Sequence, residues 1–125
     1  MEDPGKQNPS WRLHRLEVAE PFGCWHEIDR SKLLWIRKKL SDFESMTWNE
    51  ILVYGRDQNH PVRVDKLLPG ARKRLTELRL EDIDQLVSLR LSGSERIYGI
   101  LQGSILLLLW WDPDHAIYPV KKKHT

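Results

Sequence analysis

Arg90, Arg96, His115 and Tyr118 stand close together in the last third of the chain, and side chains of these types act on phosphodiesters. A guanidinium is a permanent cation whose planar fork matches phosphate oxygens. An imidazole titrates near neutrality and so exchanges protons at physiological pH, and a phenol stacks on a nucleobase or donates a proton. RNA cleavage by internal attack needs a group that takes the 2′-hydroxyl proton, a cation over the phosphorane-like oxygens, and an acid for the departing 5′-oxygen. That scheme requires neither metal nor cofactor. Arg90 is the candidate cation, His115 the candidate acid or base, and Tyr118 the candidate stacking or proton-donating group, with Arg96 as a substrate contact.

Each of these residues has a plainer reading. Arg90 serves equally as the partner of an acid such as Glu95 across a hairpin, and Arg96 as a structural arginine. His115 is also an ordinary turn histidine, and Tyr118 a packing residue of an edge strand. Glu95, Asp112 and Asp114 are weaker candidates for the base. Asp112, Asp114 and His115 offer a cation two carboxylates and an imidazole within one turn, but a metal site needs further ligands that the sequence does not supply. His60 and His124 have no spacing that ties them to the rest.

A formal net charge of +2 is too small to mark a nucleic-acid binder, so the distribution of charge carries the argument. Acids outnumber bases as far as Asp29. Beyond it come basic clusters at Arg30/Lys32/Arg37/Lys38/Lys39, at Arg63 to Arg79, and at Lys121/Lys122/Lys123/His124. Lys38, Lys39, Lys121, Lys122 and Lys123 are therefore candidate substrate-binding residues, which either track phosphates or lie on a solvated face.

The elements that must hold these groups are strands. Leu89 and Leu91 flank Arg90, Ser92-Gly-Ser94 is a turn, and Ile97-Tyr-Gly-Ile-Leu101 pairs back before a second turn at Gln102-Gly103. Ile105 to Trp111 is continuously apolar, as in a strand covered on both faces, and alternation makes one of Trp110 and Trp111 a core residue and the other a candidate for exposure, with packing against the helices as the plainer reading for at least one of them. Asp112-Pro-Asp-His115 is a turn, and Ala116 to Val120 returns as an edge strand. Upstream, Trp11 to Val18 alternates as a strand with an irregularity near His14 and Arg15. Asp29 or Ser31 caps a helix carrying Leu33, Ile36, Leu40 and Phe43 at helical spacing. Thr47-Trp-Asn-Glu50 is a capping box opening a short helix to about Tyr54. Gly55 to Pro61 is a polar loop, and a further helix starts near Pro69.

The 125 residues, 40% of them hydrophobic and six of them tryptophan, suffice for one domain with a substantial core. The expected organisation is a flexible lead-in over 1–10, a single α+β domain over 11–120, and a basic tail over 121–125. Within the domain, an N-terminal strand and a C-terminal meander form a small antiparallel sheet packed with two or three helices. The lone Cys24 excludes an intramolecular disulfide and a cysteine-only metal site. The N-terminus has no signal-peptide core and Ile105 to Trp111 is too short to span a bilayer, so a cytoplasmic location without membrane contact is expected.

This order of elements, together with Leu89-Arg-Leu-Ser-Gly-Ser-Glu-Arg-Ile-Tyr-Gly-Ile100, resembles the RelE/ParE superfamily of bacterial toxins, in which an arginine on one strand is followed by a turn and a second arginine before an apolar-aromatic pair. The likeness covers the last third by motif and the rest by element order. It implies a RelE-like fold and a metal-independent endoribonuclease that cuts mRNA at the ribosome, held in check by a cognate antitoxin in a hetero-oligomer. Arg90 falls at the catalytic arginine, Arg96 at a commonly structural one, and His115 or Tyr118 at the C-terminal acid. The longer N-terminal section and the lysine tail depart from the family pattern, and no acidic base can be matched. ParE-like relatives use the same fold without cutting RNA, so a non-enzymatic protein- or nucleic-acid-binding module is the alternative.

Overall fold

The structure, a computed structural model, describes residues 3–22 and 24–118. Alternating apolar residues in the last third build its centre. Strands β3 (Gln85–Arg90), β4 (Arg96–Gln102) and β5 (Ile105–Asp112) form an antiparallel meander. The β4–β5 turn uses Gly103 at a φ of +64°, a region that suits glycine. Two short strands extend the sheet. β1 (Ser10–Arg12) lies along β5, and β2 (His60–Arg63) lies along β3, giving the order β1-β5-β4-β3-β2.

The sheet is mixed, where sequence alone predicts an antiparallel one, because β1 runs parallel to β5. A parallel pair requires a long crossover, and the whole chain between these two strands provides it. β1 is also shorter than the alternation over Trp11 to Val18 predicts. The phase change after Leu13 takes the chain out of the ladder, and Glu17 turns inward instead. Its backbone N–H donates to the Leu109 carbonyl at 3.0 Å, and its buried carboxylate accepts from Trp110 Nε1 at 3.0 Å and from Arg74 Nε at 2.9 Å. β2 arises partly within the stretch that reads as a polar loop. Pro61 is tolerated there because β2 is an edge strand.

Helix α1 (Arg30–Glu44) begins as expected, with Asp29 Oδ1 accepting from the Lys32 N–H at 2.8 Å. The capping box also forms. Thr47 Oγ1 accepts from the Glu50 N–H at 3.2 Å and Glu50 Oε1 accepts from the Thr47 N–H at 3.0 Å, after which Glu50–Tyr54 is a π-helical turn. Helix α2 (Pro69–Glu77) buries Ala71 and Leu75.

Helices cover the sheet on both faces. On one side Ile36, Phe43, Trp48 and Ile51 pack with Val87, Leu89, Leu91, Ile97, Leu108 and Trp111. On the other, Leu67, Ala71, Leu75 and Leu80 pack with Leu86, Tyr98, Leu107, Leu109, Trp110 and Ile117. A register shift opposite Tyr98/Gly99 places Leu109 and Trp110 on the same face. Trp110 and Trp111 nevertheless lie on opposite faces, and because each face is covered both are buried, at 0% and 5% exposure, so neither ring is the exposed one that alternation allows. Gly99 makes the irregularity possible, since a Cβ there would lie 2.7 Å from both the Leu107 carbonyl oxygen and Leu106 Cγ.

The ends differ from expectation. Pro4–Lys6 is a 3-10 turn, and Asn8 Nδ2 donates to the Glu44 carbonyl at 2.9 Å while Trp48 N–H donates to the Gln7 carbonyl at 3.0 Å. Residues 4–10, read from composition as a flexible lead-in, thus have tertiary partners, which composition does not reveal. Residues 116–118 form no strand, because the turn after β5 is folded back on Asp112 rather than extended. The remainder of the expected edge strand and the 121–125 tail lie outside the described residues.

Candidate functional site

Strand alternation determines which side chains share a face. Leu89 and Leu91 enter the core beside α1, so Arg90 emerges on the face of α2. Across that face the register aligns two rows. His60, Ser88, Tyr98 and Trp110 are successive partners on β2, β3, β4 and β5. One step further along, Arg90, Arg96 and Asp112 are partners on β3, β4 and β5. Partners in such a row have Cβ atoms about 5 Å apart, and the rows are about 7 Å apart. His115 and Tyr118 follow β5 at this end of the sheet.

Arg90 is half-buried. Its backbone N–H donates to the buried Asn59 Oδ1 at 2.8 Å, and its Nε donates to the Ser92 carbonyl at 3.2 Å. Among the described residues its two terminal nitrogens meet no acceptor. The pairing with Glu95 does not form. Glu95 points to the opposite face, where Lys32 Nζ and Trp35 Nε1 donate to its carboxylate, the latter at 3.0 Å. Burial pushes the Glu95 carboxyl up, but donation from Lys32, Ser92 and Trp35 outweighs it and holds the group below its ordinary value. Glu95 is thus an ion-pair partner of α1 and does not belong to the site.

Arg96, a candidate substrate contact, is built into the hairpin instead. Its Nη1 donates to the carbonyls of Ser92, Gly93 and Glu95 at 2.8, 3.2 and 3.1 Å, and the residue is 9% exposed. Burial, and then Arg90 beside it, lower its pKa. Asp112 has an equally fixed task. Its two carboxylate oxygens accept the N–H groups of Ala116 and Ile117 at 3.0 and 2.9 Å. This clamp closes the turn that carries His115, whose φ of +54° lies in the left-handed region. A non-glycine residue held there is over-determined by its surroundings, and the Asp112 clamp is the visible cause.

The His115 imidazole is partly buried. Burial lowers its pKa below 6.5, and Arg96, Arg90 and His60 add to the depression against the opposing pull of Asp112. It is therefore neutral at physiological pH, the state in which an imidazole accepts a proton. Tyr118 packs edge-on against His60, with ring centroids 6.2 Å apart. His60 Nδ1 lies 3.2 Å from the Pro61 carbonyl oxygen. Nothing in the spacing of His60 ties it to the other groups, because the β2–β3 register is what brings it beside them.

Tyr98 was also missed, having read as an apolar strand residue. It is fully buried and its hydroxyl has no hydrogen-bond partner. Burial, then Asp112, push its pKa up, so the phenol stays protonated.

The other candidates lie elsewhere. Lys38 pairs with Asp42 at 3.1 Å and Lys39 lies 5.3 Å over the Trp35 ring, both on α1 across the sheet from Arg90. The structure does not bring these two candidate substrate contacts together with Arg90. Lys121, Lys122 and Lys123 lie outside the described residues. Asp114 is exposed, and Asp112, Asp114 and His115 do not converge as metal ligands. The described residues with three potential ligand atoms within 4.8 Å of one another are Glu20, Cys24 and Glu27.

The assembled site offers one guanidinium with an open fork, one neutral imidazole held by a strained turn, a second imidazole, and a phenol beside it. These are the components of general acid-base chemistry at an anion. No protein-family description, curated protein or solved structure matches the chain. Among the described residues no helix is long and apolar enough to cross a membrane.

Proposed function

We propose that the chain is a RelE-like toxin of a toxin-antitoxin pair, an endoribonuclease that cuts mRNA at the ribosome. The observation that carries this reading is the open fork of Arg90 in the same cluster as the neutral His115. Arg90 neutralises the phosphorane-like oxygens. His115 takes the 2′-hydroxyl proton, and Tyr118 or His60 supplies the proton for the departing 5′-oxygen. Internal attack on the phosphorus breaks the P–O5′ bond and leaves a 2′,3′-cyclic phosphate and a 5′-hydroxyl, so protons and charge balance without a further reactant.

A specific observation also favours a partner. On the far face of the sheet, a groove of about 640 Å³ is lined by Trp11, Leu13, Leu33, Leu34 and Leu40. Leu13 and Leu33 are 65% and 56% exposed. Apolar surface of this kind marks interaction sites, and in this reading the cognate antitoxin seats there. If the chain is instead a non-enzymatic, ParE-like module, this groove is its working surface.

The test is induced expression in a bacterial host of wild type beside Arg90→Ala, with growth and mRNA 5′ ends followed together. Growth arrest with new ends that vanish in the variant is the expected result. Arrest without new ends, in either protein, favours the binding module and overturns the nuclease.

A further inference from the structure

The Tyr98 hydroxyl is the feature that the roles above leave unused. A buried hydroxyl without a partner is unfavourable, and native interiors satisfy nearly all such groups. Here the group is fully buried and unpaired. Ser88 stands opposite it on β3, close enough to act on the phenol electrostatically but without the geometry of a hydrogen bond. A phenylalanine at 98 would fill the same space without this penalty. The hydroxyl also sits in a telling place: His60 and Ser88 complete its row, and Arg90, Arg96 and Asp112 form the next row on the same face.

Two donors in this arrangement lack protein acceptors among the described residues, namely the terminal nitrogens of Arg90 and the O–H of Tyr98. The carboxylate in the Arg90/Arg96 row, Asp112, already accepts a backbone N–H group at each oxygen. Excess donors beside guanidinium charge select an anion with several acceptor oxygens, and a phosphate group matches that description.

We infer that Tyr98 is the floor of a phosphate site, its buried hydroxyl donating to one oxygen while Arg90 holds the others. This deepens the ribonuclease reading and rests on it for the identity of the phosphate as part of an RNA backbone. Because the hydroxyl is enclosed, an incoming oxygen must displace a side chain packed over this cluster. Tyr118 is the half-buried aromatic there, resting on His60 and on the core that contains Tyr98.

The experiment compares thermal unfolding of wild type and Tyr98→Phe with and without inorganic phosphate. The expected result has two parts. Without phosphate the variant melts at or above the wild-type temperature, because an unsatisfied group has been removed. With phosphate the wild type gains stability, and the variant binds the anion at least tenfold more weakly. A variant that melts lower and keeps the phosphate response shows that the hydroxyl is satisfied internally and overturns the inference. A wild type indifferent to phosphate overturns it too.

A measurement on the unaltered protein stands independently of whether the variant folds. The Tyr98 Cζ resonance should shift on phosphate addition, and an unmoved resonance counts against the site. Competition by an uncleavable 2′-deoxy oligonucleotide identifies a polynucleotide backbone as the phosphate source, and its absence identifies a free phosphate ligand. Tyr98-dependent phosphate binding in a protein that cuts no RNA would leave this site standing and remove the ribonuclease reading.

Discussion

Arg90 stands directly opposite Arg96 across the β3–β4 pair. Like charges facing each other in a sheet are destabilising, and this pair persists because the two side chains are engaged differently. Arg96 gives its Nη1 to three turn carbonyls, whereas Arg90 uses only its Nε locally. One arginine holds the hairpin, and the terminal nitrogens of the other meet no acceptor among the described residues.

The Arg90→Ala protein should therefore fold normally, within about 0.5 kcal/mol of wild type, because the change relieves a repulsion and removes one side-chain hydrogen bond. Cleavage of RNA should fall on the order of 10²–10³-fold, the usual consequence of deleting a transition-state cation or oxyanion donor. Urea unfolding and single-turnover cleavage measured on the same sample check both parts.

Arg96→Ala should behave in the opposite way. Three carbonyls lose their donor and the turn loosens, at a cost of about 2 kcal/mol. Any activity lost should track the loss of folded protein and return at lower temperature. An Arg96→Ala protein of wild-type stability with abolished cleavage would instead place Arg96 on the substrate.

In the proposed nuclease, His115 is expected to set the pH dependence. Its pKa is depressed below 6.5 mainly by burial, and then by Arg96 and Arg90. As a base it works when neutral, so the rate should climb as pH rises through that lowered value and be level across neutrality. Stability follows the same sign. The unfolded chain binds the proton more readily, so this contribution is complete above about 6.5 and is lost as pH falls below it. His115→Ala should flatten the acid limb of the rate profile and lower the rate about a hundredfold.

Acid should also weaken the anchor between α1 and the hairpin. Donation from Lys32, Ser92 and Trp35 overcomes burial to hold Glu95 below 4.5. A carboxylate with a lowered folded pKa stabilises above its unfolded value, and that stability is lost as pH falls through the folded one. Glu95→Gln should remove this limb from a plot of melting temperature against pH while leaving RNA cleavage intact, since Glu95 faces away from Arg90.

Gly99→Ala tests the bulge. The new methyl would meet the Leu107 carbonyl and Leu106 at 2.7 Å. The expected destabilisation is about 1–3 kcal/mol, as for other overpacked interiors, and is read from a urea titration.

The amino-acid sequence by itself determined the local structure. Asp29 capped α1, Thr47 and Glu50 formed their box, and Leu89 and Leu91 sent Arg90 to the opposite face. These features depend on neighbours within a few positions, and propensity and periodicity are local properties. The candidate site was legible only as residue types, Arg90, His115 and Tyr118, that could carry such chemistry. What needed tertiary structure was register and coverage. β2 pairs with β3 and so brings His60 and Ser88 into line with Tyr98. Glu95 joined Lys32, 63 positions away, and was thereby removed from Arg90. Burial of both tryptophans required cover on both faces of β5, which alternation within the strand does not announce. Those outcomes depend on which strands become neighbours and on what covers each face, relations among distant segments that no local window of sequence contains.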